Sequence, residues 1–132
     1  MTATLERYMT RHPHTIRIDE KLDTARKLMT SLGVRHLPVL EAGKLVGVVS
    51  DRDLKSASTS ETASKKKLVS DVFIEEPFSI DIDTSLFVVA RTMADKKIGS
   101  AIVLEDGKVA GIFTAVDACR ALAEVLGPES RF

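Results

Sequence analysis

The chain is built from one sequence unit used twice. When the sequence is shifted by 64 residues, positions 9–57 align with positions 73–121 without a gap, and 14 of the 49 pairs are identical. An average composition would give roughly three identities by chance. Pro13 aligns with Pro77, and Gly47 aligns with Gly111. A unit of about 50 residues buries too little surface to be stable alone, so we expect the two copies to pack together.

Each copy predicts the order strand, helix, strand, strand, helix. In the first copy, alternating and apolar runs favour strands at 15–18, 36–40 and 44–50. Glu41-Ala42-Gly43 is expected to join the last two strands as a tight hairpin. Its counterpart, Glu105-Asp106-Gly107, contains an Asp-Gly pair that favours turns with positive φ.

The helices are indicated by caps and by apolar spacing. Apolar residues recur at helical intervals from Leu22 to Leu32, with Asp19 as the expected N-cap and Gly33 as the expected C-cap. The second helix of each copy is expected to start after Ser50 or Thr114. These helices are expected to end near Ala57 and Leu126, and a short lead-in helix is expected over residues 4–10.

Composition narrows the class of protein. Apolar residues make up 44% of the chain, which is enough for a core, and 19 basic residues balance 19 acidic ones. Because there is no basic excess, we expect no binding to a nucleic-acid backbone. No apolar stretch is long enough to span a bilayer, and the first ten residues do not resemble a signal peptide, so we expect no membrane contact and a cytoplasmic location.

Two further features are interpreted structurally. Residues 56–67 are rich in Ser, Thr, Ala and Lys and hold no large apolar side chain, so we expect a mobile linker there. Cys119 is the single cysteine and cannot form an internal disulfide. Its apolar neighbours favour a small buried side chain over a reactive thiol.

The same motif ends the last strand of each copy. Ser50 is followed three residues later by Asp53, and Thr114 is followed by Asp117, each after a glycine and two apolar residues. One interpretation is a capping box that stabilises the start of a helix. The other is a ligand site, in which backbone N–H groups and the hydroxyl bind a phosphate and the carboxylate accepts from two ribose hydroxyls. The residues alone leave both interpretations open.

The chain resembles a tandem pair of cystathionine β-synthase (CBS) domains, also called a Bateman module. The resemblance extends from about Leu5 to Leu126 and depends on the order, spacing and duplication of its motifs. In the first copy the motifs are Tyr8-Met9-Thr10, Pro13, residues 33–39 and residues 47–53; in the second they are Pro77, residues 98–104, residues 111–114 and Asp117.

The resemblance implies an α+β fold of two pseudo-symmetric β-α-β-β-α CBS repeats packed sheet to sheet. We divide the chain into a first repeat at 1–57, a flexible linker at 58–67 and a second repeat at 68–132. The family's behaviour implies a regulatory sensor that binds AMP, ADP, ATP, NAD or S-adenosylmethionine in the cleft between the repeats. It also implies a homodimer that forms a disc of four repeats and acts on an unknown effector protein.

The family pattern implies two ligand sites, each built from both repeats. One would combine Thr114 and Asp117 with Thr15, Ile16, Arg35, His36 and Pro38. The other would combine Ser50 and Asp53 with Ser79, Ile80, Gly99, Ser100 and Ala101. We expect the first site to favour a charged ligand, because Arg35 offers a guanidinium for phosphate where the other site has Gly99.

The second repeat departs from the family pattern at two positions. Ile102 stands where the first repeat has Pro38, and Lys97 stands where it has Gly33. Both substitutions bear on the strand geometry of the site that uses Gly99 to Ala101.

The alternatives to a sensor are an interaction module with vestigial ligand sites and an enzyme. The sequence has no paired general acid and base, no metal-ligand set, no activated nucleophile and no glycine-rich phosphate loop. We therefore expect no catalytic activity, no metal and no obligatory cofactor.

Overall fold

A computed structural model describes residues 4–57, 67–72 and 74–128. Its helices are α1 (Leu5–Tyr8), α2 (Leu22–Leu32), α3 (Asp51–Ala57), α4 (Leu86–Lys96) and α5 (Ala115–Leu126), with a 3-10 helix at Val69–Asp71. Its strands are β1 (Thr10–Arg11), β2 (Ile16–Arg17), β3 (His36–Glu41), β4 (Lys44–Ser50), β5 (Ile74–Glu75), β6 (Ser79–Asp81), β7 (Ser100–Glu105) and β8 (Lys108–Thr114). The α+β class and the repeated element order are confirmed. The linker predicted at 58–67 lies almost wholly outside the described residues.

The chain forms two compact units. Unit N comprises His14–Pro77, and unit C comprises Met1–Pro13 together with Phe78–Phe132. Unit N holds a sheet of order β2-β3-β4-β5, and unit C holds a sheet of order β1-β8-β7-β6. In each sheet the first two long strands form an antiparallel hairpin and a parallel strand lies beside it.

The segment before each repeat packs in the other unit. Residues of α1 and β1 belong to unit C, where β1 pairs antiparallel with β8. The 3-10 helix and β5 belong to unit N, where β5 pairs antiparallel with β4. Each compact unit therefore contains residues from both predicted repeats. The repeat boundaries at 57 and 68 stay predictions.

Each unit has its own apolar core. The core of unit N is formed by side chains from α2, β3, β4 and α3, among them Leu22, Met29 and Val49. In unit C, Phe113 and Met93 are joined by Leu5, Tyr8 and Met9 of the N-terminal segment, which are all buried. Burial of three large side chains holds that segment in unit C.

The hairpin turns have the predicted left-handed geometry. Ala42 and Gly43 have φ of 51° and 79°, and Asp106 and Gly107 have φ of 53° and 77°. Positive φ at both central residues is the geometry that a two-residue hairpin favours, and glycine adopts it without strain. Of the two turn residues that are not glycine, Asp106 has a side chain that can hydrogen-bond locally to offset its positive φ, whereas Ala42 does not.

The two departures in the second repeat keep the left-handed helix end and extend the parallel ladder by one residue. Lys97 ends α4 in the left-handed conformation, with φ 57° and ψ 47°, as Gly33 ends α2 with φ 69° and ψ 30°. Ile102 donates its N–H to the Phe78 carbonyl at 2.8 Å, which Pro38 cannot do because proline has no N–H. The parallel ladder in unit C is accordingly three residues long, against two in unit N.

Two local predictions are wrong, and one predicted helix is shorter than expected. Helix α2 has Lys21 rather than Asp19 as its N-cap, because the Leu22 N–H donates to the Lys67 carbonyl at 2.8 Å and needs no side-chain cap. The lead-in helix ends at Tyr8, since Thr10 already pairs with Ile112 in the sheet. Cys119 is exposed, because Asp117 and Ala121 occupy the inward face of α5.

Candidate functional site

Each unit contains one junction where a long strand passes directly into a helix. In unit N, β4 ends at Ser50 and α3 starts at Asp51; in unit C, β8 ends at Thr114 and α5 starts at Ala115. The same backbone bond anchors both junctions. The Asp51 N–H donates to the Arg35 carbonyl at 2.9 Å, and the Ala115 N–H donates to the Gly99 carbonyl at 3.0 Å.

Both predicted capping boxes are formed. At the junction of unit N, Asp53 Oδ2 accepts from the Ser50 N–H at 2.9 Å and from Ser50 Oγ at 2.9 Å. The Asp53 N–H donates to Ser50 Oγ at 3.2 Å. One carboxylate oxygen thus takes two hydrogen bonds from the residue that ends the strand, which fixes the rotamer of the aspartate.

The junction of unit C repeats this arrangement. Asp117 Oδ2 accepts from the Thr114 N–H at 2.9 Å and from Thr114 Oγ1 at 3.1 Å. The Asp117 N–H donates to Thr114 Oγ1 at 3.4 Å. The residues interpreted as a cap or as a ligand site therefore form the cap in both units, and in each the outer oxygen, Oδ1, takes no part in it.

One residue that the sequence analysis missed adds a charge to the junction of unit C. Arg120 Nη1 donates to Asp117 Oδ1 at 3.1 Å. The Asp117 side chain is 8% exposed, and that of Arg120 is 60% exposed. An arginine three residues after an aspartate on a helix is a detectable signal, since such residues are neighbours on the helix surface.

His36 and Arg35 lie beside the junction of their own unit. His36 pairs with Ser50 across the β3–β4 hairpin, and the corresponding pair in unit C is Ser100 with Thr114. Burial lowers the pKa of His36 below its ordinary value, and Asp51 and Asp53 oppose that shift. The imidazole is therefore a neutral group next to two carboxylates.

The predicted site residues divide between the units. Unit N contains Thr15, Ile16, Arg35, His36, Pro38, Ser50 and Asp53; unit C contains Ser79, Ile80, Gly99, Ser100, Ala101, Thr114 and Asp117. The side chains of Ile16, Pro38, Ser100 and Ala101 are buried, whereas those of Arg35 and Ser79 are exposed. Within each unit the hairpin brings the start of the middle strand to the junction. The combinations across units stay predictions.

The described residues provide neither a cluster of metal ligands nor a membrane-spanning helix. Within residues 4–57, 67–72 and 74–128, no group of three or more His, Cys, Asp and Glu side chains is placed to hold a metal ion. No helix in this described part is long and apolar enough to cross a membrane.

Solved structures with similar folds place the chain among CBS-pair proteins. A Vibrio cholerae protein named after acetoin utilization (AcuB) is 32% identical, with a TM-score of 0.83 over 96% of this chain and 94% of that one. CBSX2, a CBS-pair protein of Arabidopsis thaliana, is 28% identical, with a TM-score of 0.80 over 95% and 97%. A structure of CBSX2 in complex with AMP is 29% identical over 94% and 98% of the two chains, also with a TM-score of 0.80.

Curated relatives include both short and long proteins. A CBS domain-containing protein of Dictyostelium discoideum is 29% identical, and the match covers 97% of each chain. The inosine-5′-monophosphate dehydrogenase of Korarchaeum cryptofilum is 30% identical over 85% of this chain, but the match spans only 23% of that enzyme. The CBS domain model itself matches twice, at residues 5–60 and 69–124. With two matches that together cover most of its length, the chain belongs to the CBS domain family as a tandem pair.

Proposed function

We propose that the chain is a regulatory module that binds an adenosine-containing ligand through its two strand–helix junctions. The observation that carries this proposal is the pair of aspartates whose Oδ2 atoms each accept from a hydroxyl and an N–H of the residue that ends the strand. The AMP complex of CBSX2, a relative of similar length, supports the ligand class. AMP, ADP, ATP, NAD and S-adenosylmethionine are the candidates, and none is an obligatory cofactor.

We propose that the carboxylates have a second role besides the cap. In each junction, Oδ2 is occupied by the capping bonds, so the ligand would meet Oδ1. A carboxylate oxygen has two acceptor positions, which matches the adjacent hydroxyls of a ribose. We assign Asp53 and Asp117 to ribose recognition for this reason.

The hydroxyl groups of Ser50 and Thr114 are less available to donate to a phosphate than the sequence indicated. Ser50 Oγ and Thr114 Oγ1 each carry a single hydrogen, and each already donates it to the aspartate. Donation to a phosphate would require that hydrogen to turn away from the carboxylate. We therefore propose that exposed Arg35 supplies the stronger phosphate contact, as a permanently charged donor.

The proposal is tested by a thermal-shift titration with the five candidate ligands. Binding to the native state alone stabilises by about 2.7 kcal/mol at a hundred times the Kd. For a domain of this size that is several degrees in Tm. We expect a shift with at least one ligand and its loss in the double variant Asp53→Asn/Asp117→Asn, because asparagine keeps one capping oxygen but loses the charged acceptor.

A matched control separates ligand binding from capping. Asp71 also caps a helix, with Oδ2 accepting from the Leu68 N–H at 2.8 Å, but it stands at neither junction. Asp71→Asn should leave the ligand-induced shift unchanged. If the shift survives in the double variant, or if no candidate ligand shifts wild-type Tm, the adenosine-sensor proposal is wrong.

The capping geometry also favours a second candidate, an interaction module whose ligand sites are vestigial. Both hydroxyl–aspartate pairs are satisfied within their own unit and stabilise helix starts without a ligand. This candidate predicts no shift with any adenosine ligand, together with a loss of stability in the double variant. The thermal-shift titration therefore distinguishes the two candidates.

We also propose that the chain forms a homodimer, with the helices of unit C at the interface. Phe87 and Val88 on α4 are 71% and 49% exposed, and Val116 on α5 is 64% exposed. The repeat partners of these residues in unit N are Asp23, Thr24 and Arg52, which are polar. Equivalent helical surfaces are thus apolar in one unit and charged in the other, which favours pairing of unit C with unit C.

The repeat supplies the substitutions that test this interface. Phe87→Asp and Val116→Arg introduce the residues that the other repeat already carries at the same positions, so the fold should accept them. Sedimentation should show a dimer for the wild type and a monomer for the double variant. Arg91→Lys, which copies Lys27, is the control and should stay dimeric. A monomeric wild type would contradict the proposed dimer. The effector protein and the cytoplasmic location stay predictions.

A further inference from the structure

The two junction aspartates differ in what their outer oxygens contact. Asp117 Oδ1 accepts from Arg120 Nη1 at 3.1 Å, so both oxygens of this carboxylate are engaged. Asp53 Oδ2 is engaged by Ser50 in the same way, but among the described residues the structure records no partner for Asp53 Oδ1. The two aspartates, identical in the repeat alignment, are therefore not equivalent as acceptors.

The difference originates at one position of the repeat. Residue 56 is the counterpart of Arg120 and is a serine, which carries no charge. An arginine at this place lies one helical turn beyond the aspartate, where a guanidinium reaches the carboxylate directly. The Asp117 side chain is almost fully buried, and Arg120, which is mostly exposed, contacts its Oδ1.

Acceptor capacity decides what each carboxylate can do for a sugar. A ribose offers two adjacent hydroxyls, and each requires one acceptor position on the outer oxygen. At Asp53 both positions of Oδ1 are open toward the described residues, whereas Arg120 takes one of the two at Asp117. A diol that binds Asp117 must share the oxygen with Arg120 or displace it.

We propose that Arg120 is a specificity-determining residue that weakens recognition of a ribose diol at the junction of unit C and leaves the junction of unit N as the stronger diol acceptor. This inference rests on the proposed adenosine-sensor function. It concerns the sugar and is separate from the expectation that the site containing Asp117 favours a charged ligand, which was based on Arg35.

If Arg120 only stabilised helix α5, its replacement would lower Tm and leave the preference for a ribose over a deoxyribose unchanged. The Arg120 side chain is 60% exposed, but its partner Asp117 is only 8% exposed, so loss of the pair can also lower Tm. The readout that identifies a role in ligand recognition is therefore sugar discrimination and not Tm. We expect a change of about two- to fivefold in relative affinity, the size typical of a salt bridge with a solvent-exposed partner.

The test compares AMP with 2′-deoxy-AMP, because the ratio of their affinities reports the diol and cancels any attraction between Arg120 and the phosphate. Calorimetry on Asp53→Asn, which leaves only the junction of unit C, gives the reference ratio. Adding Arg120→Gln should raise the preference for AMP over 2′-deoxy-AMP about two- to fivefold. Arg91→Gln removes an exposed arginine that is paired with Asp95 on α4, and this control should leave the ratio unchanged.

The reciprocal variant tests the same inference in unit N. In an Asp117→Asn background, Ser56→Arg places an arginine one turn after Asp53 and should lower the preference for AMP by a similar factor. A ratio that is unchanged in both variants, or that falls in Arg120→Gln, overturns the role of Arg120 while AMP binding itself upholds the sensor function. If AMP binds to neither single-site protein and not to the wild type, the proposed function and this inference fail together.

Discussion

Replacing Gly111 with alanine would test how the N-terminal segment is held in unit C. A Cβ at position 111 would lie 2.6 Å from Met9 Sδ, 3.0 Å from Met9 Cε and 3.0 Å from the Thr10 carbonyl oxygen. Distances below 3.0 Å are not found for real Cβ atoms, so something must move. Gly111 lies in β8 opposite Arg11 of β1, which places the conflict at the contact between the segment and the sheet.

The Met9 side chain and the Thr10 carbonyl differ in how far they can move away from a Cβ at position 111. Met9 is a flexible side chain and can change rotamer, but it is buried in the core of unit C. The Thr10 carbonyl is backbone, and its position is set by the pairing of Thr10 with Ile112. Overpacking of a core typically costs about 1–3 kcal/mol, and we expect Gly111→Ala to lower the free energy of unfolding by that amount.

A double-mutant cycle identifies the obstacle. Met9→Ala alone should cost about 2–5 kcal/mol, because it leaves a cavity in the core of unit C. The smaller side chain also makes room for the Cβ at position 111, so Gly111→Ala should cost less in that background. We expect the double variant to be more stable than additivity predicts, by about 1 kcal/mol.

Urea unfolding followed by far-ultraviolet circular dichroism measures all four proteins of the cycle. Gly107→Ala is the matched control: its Cβ would meet nothing within 4 Å, and its φ of +77° makes the cost one of backbone strain alone. It should show no coupling to Met9. Additive effects of Gly111→Ala and Met9→Ala, or a neutral Gly111→Ala, would refute the argument that Met9 requires a glycine opposite it.

Three further predictions follow from single backbone or charge features. Lys97→Gly should raise the free energy of unfolding by about 1 kcal/mol, since Lys97 has φ 57° and glycine adopts this conformation without a Cβ penalty; urea unfolding should show it. Ala42→Asn should raise it by a similar amount in the same assay, because asparagine before Gly43 suits the hairpin turn. Burial lowers the pKa of His36, so the unfolded chain takes up a proton first as the pH falls below 6.5. The free energy of unfolding of the wild type should therefore fall as the pH is lowered from 6.5 to the folded-state pKa of His36. His36→Gln should lose less stability than the wild type when unfolding curves at pH 7.5 and 5.5 are compared.

Features with local signals were predictable from the sequence. The strand–helix junctions at Ser50 and Thr114 were located to the residue, because a hydroxyl with an aspartate three residues later is a complete capping signal. The hairpin turns at Gly43 and Gly107 were predictable for the same reason. In each case the residues that determine the structure lie within four positions of one another.

Features that depend on distant contacts were missed. Asp19 has the side chain of an N-cap, but the Leu22 N–H is satisfied by Lys67, which lies 45 residues along the chain. Cys119 was expected in the core because its neighbours are apolar. Helix α5 is apolar on its outer face as well, with Val116 64% exposed, so periodicity does not identify the buried side. Burial depends on what packs against a helix, which no local pattern records.

The two units share a backbone but differ in the side chains that it displays. The corresponding hydrogen bonds at the two junctions agree to within 0.2 Å, although a serine replaces a threonine. Over the same framework, Ser56 corresponds to Arg120 and Asp23 corresponds to Phe87. Capping bonds constrain the chain path, so both repeats keep them, whereas exposed helix positions can change without altering that path. Differences between the units in ligand preference and in association should therefore follow these exposed positions, and exchanging them between repeats should exchange the properties while the fold is retained.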